Sequence, residues 1–332
     1  MRDNVNLSLR TYFLSLLMNM KFTFVVLLFS CFQLNSQQAR DFAKGSVSSS
    51  KAWIDVDYVG DGIIGHKMDV FLPVSKDTSF PLVVTIYGSA WLSNSSKSAI
   101  FNDGLGQKLL AKGYAVASLN HRSSTDAAWP AQLHDVKAAI RFIRSHAADL
   151  LIDTSFIGIT GYSSGGHLST MSGVTSNVIK TKIGDLNIDL EGNEGTDLSH
   201  GSHVDAVVDW FGPTDFLIMD SCGSSFSHND LKSPESRLIG GAIQENKANV
   251  ALANPIQYIN KRNPPFLIFH GTQDPLVPYC ESQKLYSKMK QEGVEAEFVM
   301  IEGGKHGPGV MTEPYYDRMI DFFNKVRKSG SH

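Results

Sequence analysis

Short runs of apolar, β-branched or aromatic residues recur along the chain at 52–58, 68–72, 82–87, 114–119, 156–160, 206–211, 266–270 and 296–301, and each reads as a strand. Between the later runs lie helical patterns at 101–111, 130–148, 164–172, 280–291 and 314–328, most of them bounded by Gly or Pro. The second pattern places Leu133, Val136, Ala139, Ile140 and Ile143 on one stripe, with Pro130 expected at the first helical position. Parallel strands need crossovers, and crossover helices cover the sheet that they connect. The alternation therefore predicts an α/β fold, a mostly parallel eight-stranded sheet with helices on both faces. With 332 residues, 42% hydrophobic and 19% charged, the chain has the balance of a packed globular protein rather than a disordered segment or a coiled coil.

No internal repeat or Pro/Ser-rich linker divides the sequence after residue 50, so 37–332 reads as a single domain. Residues 175–202 are polar and Gly-rich and 219–250 lack a clear period; both read as excursions between sheet elements, of the kind that roof an active site as a small lid insertion.

The N-terminus reads as an address. Lys21 precedes the apolar run 22–32, which is followed by a polar stretch at 33–38, the order of a secretory signal. Residues 1–36 are expected to be removed and the protein to be exported. Met20 offers an alternative start, which would make 1–19 an over-long gene start or an extended leader. The run is shorter than the about 20 apolar residues that span a bilayer, although residues 13–18 upstream leave a signal anchor open. Leu28-Phe-Ser-Cys31 loosely resembles a lipidation site, so a lipoprotein anchored at Cys31 is a second form that the sequence allows. Membrane contact is expected only through that leader or anchor.

The formal net charge is −3, and the leader holds Arg2, Arg10 and Lys21 against Asp3, so the remainder is more acidic still. Bulk charge therefore gives no reason to expect nucleic acid as a partner. The three cysteines, Cys31, Cys222 and Cys280, form no C-x-x-C pair, and no metal site is expected. If Cys31 leaves with the signal or is lipidated, Cys222 and Cys280 remain in an oxidising setting, where an even pair is often bridged. A disulfide and two separate buried thiols both stay open from sequence.

Four separated pieces carry chemistry. Gly161-Tyr-Ser163-Ser-Gly165 follows directly on a strand and opens a helix, the context of a nucleophile elbow. Three fixed positions of this kind recur by chance in about one chain in ten of this size, so the context is what gives the motif weight. Its glycines let strand and helix approach closely around a strained turn that lifts the Ser163 hydroxyl clear. The N–H of Ser164 at the helix start is placed to stabilise an oxyanion. His306, in the loop after the last strand, is the expected base. Asp274, in His270-Gly-Thr-Gln-Asp274 after the seventh strand, is expected to fix the imidazole. The chain order Ser163, Asp274, His306 is that of an α/β-hydrolase. The fourth piece, Tyr87-Gly-Ser-Ala-Trp91, ends the third strand where hydrolases of this fold carry a His-Gly-Gly-Gly loop. Here the N–H of Ser89, with Ala90 next, is the expected second oxyanion donor, and a positive φ would cost these residues more than glycine.

Other polar residues have structural readings. Asp215 follows the sixth strand and could serve as an alternative acid, but within Gly-Pro-Thr-Asp it reads as a turn residue. His134 and Asp135 read as structural or supporting residues and His167 as a packing residue. His200 and His203 are two ligand types without a third.

The runs 130–141, Gly161-Tyr-Ser-Ser-Gly-Gly-His167, Trp210-Phe-Gly-Pro-Thr-Asp215, Ser233-Pro-Glu-Ser236, Ala253-Asn-Pro-Ile256 and 264–271 together resemble the feruloyl-esterase-like (BD-FAE) branch of the α/β-hydrolases, across about residues 60 to 325. The resemblance implies serine hydrolysis of carboxylic esters without a cofactor, often of acetyl or feruloyl groups on plant polysaccharide such as xylan. The substrate expected is a small-molecule or oligosaccharide ester, with Tyr87, Trp91 and Tyr162 as candidate pocket residues. Two departures, the Tyr87-Gly-Ser-Ala loop and Asn120-His-Arg122, bear on the acyl pocket. An amidase or peptidase of the arylformamidase or prolyl-oligopeptidase type shares the elbow and the His-Gly-x-x-Asp piece and is the alternative. A non-enzymatic module would lack a member of the Ser/Asp/His set, and all three are present.

Overall fold

Strands that are covered on both sides can be apolar at nearly every position, and central strands here are buried at every residue but Pro81. The computed structural model describes residues 47–329. The readings of 1–36 as a leader, of Met20 as a start and of Cys31 as a lipid site fall outside these residues. The described residues from Ser48 onward form one compact unit.

The main sheet uses β1 (Lys51–Asp57), β2 (Lys67–Leu72), β3 (Phe80–Ile86), β4 (Ala115–Leu119) and β5 (Ile152–Tyr162). After a separate hairpin, β6 (Lys180–Ile183) and β7 (Leu186–Asp189), it continues with β8 (Ala206–Trp210), β9 (Phe266–Gly271) and β10 (Ala296–Ile301). The order is β1-β2-β4-β3-β5-β8-β9-β10. β2 is antiparallel to both neighbours and the remaining pairs are parallel. β5 starts earlier than the sequence suggests, and its register against β3 jumps between Pro81 and Leu82, where proline has no N–H to give the ladder.

Each face of the sheet has its own helices. Ile86, Ile157, Ile159 and Ile268 share one core with Val136 and Ile140 of α3 (Ala131–Ser145), Leu168 and Met171 of α5 (Ser164–Val174), and Leu285 of α8 (Cys280–Gln291). On the other face Phe71 meets Phe101 of α1 (Ala99–Asn102), and Trp210 meets Tyr316 of α9 (Glu313–Ser329). The pattern at 101–111 is split: α1 ends before Gly104, whose φ of 87° starts α2 (Leu105–Ala111). The 130–148 pattern is split likewise into α3 and α4 (Ala147–Leu150), and Pro130 precedes the first helical residue instead of occupying it.

The insertion between β8 and β9 holds α6 (Pro234–Ile239) and α7 (Lys247–Ala253). It is fastened to the loop after β9. The open question of the two thiols is answered by a disulfide between Cys222 and Cys280. Beside it, the Ser225 N–H donates to the Pro275 carbonyl at 2.9 Å, and His228 Nε2 donates to the Leu276 carbonyl at 2.9 Å. Among the described residues no helix is long and apolar enough to cross a membrane.

Candidate active site

A parallel sheet delivers its loops to one edge, and the loops after β3, β5, β9 and β10 meet there. Ser163 sits between β5 and α5 at φ 55° and ψ −125°, a conformation that costs a non-glycine residue about 1–3 kcal/mol. Its neighbours make that turn possible. A Cβ on Gly165 would strike the Ile86 carbonyl oxygen, and one on Gly161 would strike that of Gly165, so β3, β5 and α5 pack backbone against backbone. The Ser163 N–H donates to the Trp210 carbonyl at 2.9 Å, and the Ser163 carbonyl accepts from the His167 N–H at 3.1 Å. The turn is thus held from both sides and the hydroxyl is left outside it.

Ser163 Oγ lies 2.9 Å from His306 Nε2, and His306 Nδ1 lies 2.7 Å from Asp274 Oδ2. Facing a buried carboxylate, Nδ1 carries the proton, which leaves Nε2 to accept from the serine hydroxyl. The other Asp274 oxygen accepts the N–H groups of Leu276 and Val277 at 2.9 and 3.0 Å. Burial alone would raise the Asp274 pKa, but His270 and His306 beside it outweigh burial and hold the carboxyl well below the usual carboxylate range. His270, fully buried, directs Nε2–H to the Val277 carbonyl at 2.8 Å and receives the Ser282 hydroxyl on Nδ1 at 2.7 Å. The loops carrying Asp274 and His306 are laced together: the Gln273 N–H donates to the Gly304 carbonyl at 2.9 Å, and a Cβ on Gly271 would strike that same carbonyl. Phe211, at φ 46°, sets its ring 4.7 Å from that of His306. In the sequence Phe211 is the last residue of the apolar run 206–211 and reads as strand; the structure ends β8 at Trp210 and frees Phe211 for this role.

The loop after β3 departs from expectation. The Ser89 N–H donates to the Ser164 hydroxyl at 2.8 Å, so it is already engaged rather than open to a ligand. Ala90 and Trp91 follow at φ 53° and 56°, the conformation expected to be costly without glycine. Ser164 is the first residue of α5, so its N–H has no acceptor within the helix. Tyr87 and Trp91 were expected in the substrate pocket, and burial corrects that reading. Tyr87 is 0% exposed, with its hydroxyl on the Ser93 carbonyl and its ring stacked on His121. Trp91 is 1% exposed and packs edge-on against His167. Large aromatics at a strand end were core here, not wall. Tyr162 remains partly exposed beside Ser163, its ring against Gly88.

The remaining polar residues are structural. Asp215 pairs with Lys284, and the carboxylate on His306 is that of Asp274. Asp135 is fully buried and accepts from the N–H, Nε and Nη2 of Arg122, with His66 also on it, which fixes the loop after β4. His134 faces the Asp189 carbonyl. His167 donates to the Ala253 carbonyl, and burial pushes its pKa down to about 4, so it is neutral near pH 7. His200 and His203 are exposed.

A family model described as BD-FAE matches residues 68–289, about two thirds of the chain. The chain belongs to the BD-FAE family. Its fold is that of the α/β-hydrolases. A solved structure described as a truncated form of carbohydrate esterase from gut microbiota is similar at 45% identity and TM-score 0.82, covering 86% of this chain and 99% of that one. A bifunctional GH43-CE protein of Bacteroides eggerthii is similar at 47% identity and TM-score 0.80, covering 83% of this chain and 35% of that one. Esterase LipC of Mycobacterium tuberculosis is 27% identical over 75% of this chain and 59% of its own length. The chain thus spans about half the length of such curated relatives, 46% to 59%.

Proposed function

We propose that this protein is a serine carboxylic-ester hydrolase, exported, that removes acetyl or feruloyl groups from a plant-type polysaccharide such as xylan. The observation that carries the ester-hydrolase reading is the hydrogen-bonded chain from Ser163 Oγ through His306 to Asp274. Ser163 Oγ attacks the ester carbonyl carbon as its proton passes to His306 Nε2. The C–O π pair moves onto the carbonyl oxygen, which the N–H groups at the α5 start and the loop after β3 stabilise. Collapse breaks the bond to the alcohol, which leaves with the proton from His306. A water, deprotonated by the same Nε2, then attacks the acyl-serine; the bond from the acyl carbon to Ser163 Oγ breaks, Oγ takes the proton back from His306, and the acid is released. Asp274 stays ionised and stabilises the imidazolium in both halves. Every step uses protein groups and water.

Support for a carbohydrate ester comes from the similarity to proteins described as carbohydrate esterases. Support for export comes from the leader pattern and from the disulfide, which belongs to an oxidising compartment. The test is hydrolysis by the purified protein, beside Ser163→Ala, of p-nitrophenyl acetate, methyl ferulate, acetylated xylan and N-formylkynurenine. Serine-dependent release of acetate or ferulate is expected. Turnover of the formamide alone would move the protein to the amidase class.

A further inference from the structure

We propose that the side-chain hydroxyl of Ser164, the residue after the nucleophile, is a positioning residue that clamps the oxyanion loop to the elbow. This rests on the serine-hydrolase reading and assigns the hole: the N–H groups of Ala90 and Ser164 bind the oxyanion, and that of Ser89 does not.

Ser164 Oγ is buried and accepts the Ser89 N–H at 2.8 Å across 75 residues of sequence. The loop that it holds is strained, because Ala90 and Trp91 are consecutive non-glycine residues at φ 53° and 56°. Strained residues persist only where their surroundings over-determine them. Further hydrogen bonds on this loop come from within it or from the loop after β4: Leu92 N–H to the Ser89 carbonyl at 3.0 Å, Tyr87 hydroxyl to the Ser93 carbonyl at 2.9 Å, and Ser124 N–H to the Trp91 carbonyl at 2.7 Å. The loop also packs on the elbow at Gly88, which lies against the Tyr162 carbonyl and the Ser163 Cβ, and at Trp91, whose ring meets His167. To this packing the Ser164 hydroxyl adds a directional hydrogen bond from a residue whose backbone belongs to the turn that sets Ser163. It also settles the Ser89 N–H, which would otherwise be a donor without a partner in the resting site. The Ser164 hydroxyl therefore fine-tunes the distance between Ser163 and the donor at Ala90, and differences well under an ångström matter to an oxyanion hole.

The test compares Ser164→Thr with Ser164→Val in the full-length protein. The two side chains have the same number of heavy atoms and differ in the hydroxyl, so a folding penalty from the added methyl falls on both. Three readouts are taken: kcat and KM on p-nitrophenyl acetate, the inhibition constant of an aryl trifluoromethyl ketone, and hydrogen exchange of the 87–93 backbone. The ketone adds to the nucleophile, and its oxyanion occupies the hole. The valine variant is expected to lose about tenfold in kcat relative to threonine, the equivalent of one net hydrogen bond, with KM within about twofold. The ketone should weaken by a similar factor, and the 87–93 amides should exchange faster. A purely structural role would leave the ratio of ketone affinity to KM unmoved. Equal kcat in the two variants, or a faster valine variant, would overturn the clamp, the second result meaning that the hydroxyl blocks a useful donor. If the wild type shows no Ser163-dependent hydrolysis, the esterase reading itself fails and the clamp loses its role with it.

Discussion

Ser163, Ala90, Trp91 and Phe211 are non-glycine residues at positive φ; the first three lie on loops that meet at the site, and Phe211, just after β8, sets its ring against His306. Strain of about 1–3 kcal/mol per residue is tolerated there because hydrogen bonds and backbone contacts leave no alternative. Asp274 shows how the same packing controls charge. Its two histidine neighbours hold it ionised, so it can orient His306 at any pH where the imidazole can act as a base. Asp274→Asn is expected to lower kcat by about 10⁴-fold, through loss of the correct imidazole tautomer. A loss below about tenfold in steady-state assays would show that Asp274 does not orient the base. Glu281 works in the opposite direction. It accepts the N–H groups of Thr214 and Asp215, yet burial pushes its pKa up to about 8. An acid with a raised folded pKa stabilises the fold below its unfolded value and loses that contribution as pH rises through the folded value. Urea unfolding should therefore show wild-type stability falling between about pH 5 and pH 8 relative to Glu281→Gln, which keeps an oxygen for both N–H groups. Parallel profiles for the two proteins would contradict the burial argument.

At the scale of elements, the central strands were legible because burial on both faces makes their runs apolar, and the edge strands β1 and β10, only partly buried, from their β-branched and aromatic residues. The elements not foreseen are short. The β6–β7 hairpin turns at Gly184 inside a polar stretch, and α6 and α7 span too few residues to establish a period. Gly104 divided a helix that periodicity alone would have continued. Ser163, Asp274 and His306 could be picked out because each follows a recognisable strand. Contacts set by tertiary structure could not, and the Ser89 to Ser164 bond and the burial of Tyr87 and Trp91 are of that kind. The disulfide ties the insertion to the start of α8, closing a loop of 58 residues, worth up to about 4 kcal/mol in chain-entropy terms. Cys222→Ser with Cys280→Ser should lower the urea midpoint accordingly. An unchanged midpoint would mean that the hydrogen bonds of Ser225 and His228 hold the insertion without it.

For the whole molecule, the fold brings four loops from distant parts of the sequence to one sheet edge, and the BD-FAE family places this arrangement among the α/β-hydrolases. In the proposed mechanism the elbow supplies a nucleophile under strain and the loops after β9 and β10 supply its base as one laced unit, with the insertion fastened beside them. The account stands on a single bond being made and broken at Ser163. The most direct measurement is acid-quenched peptide mass spectrometry of the protein during turnover of p-nitrophenyl acetate. An acetyl adduct on the peptide holding Ser163, absent in Ser163→Ala together with turnover, is the result expected. Undiminished turnover in Ser163→Ala, with no adduct on that peptide in the wild type, would contradict it.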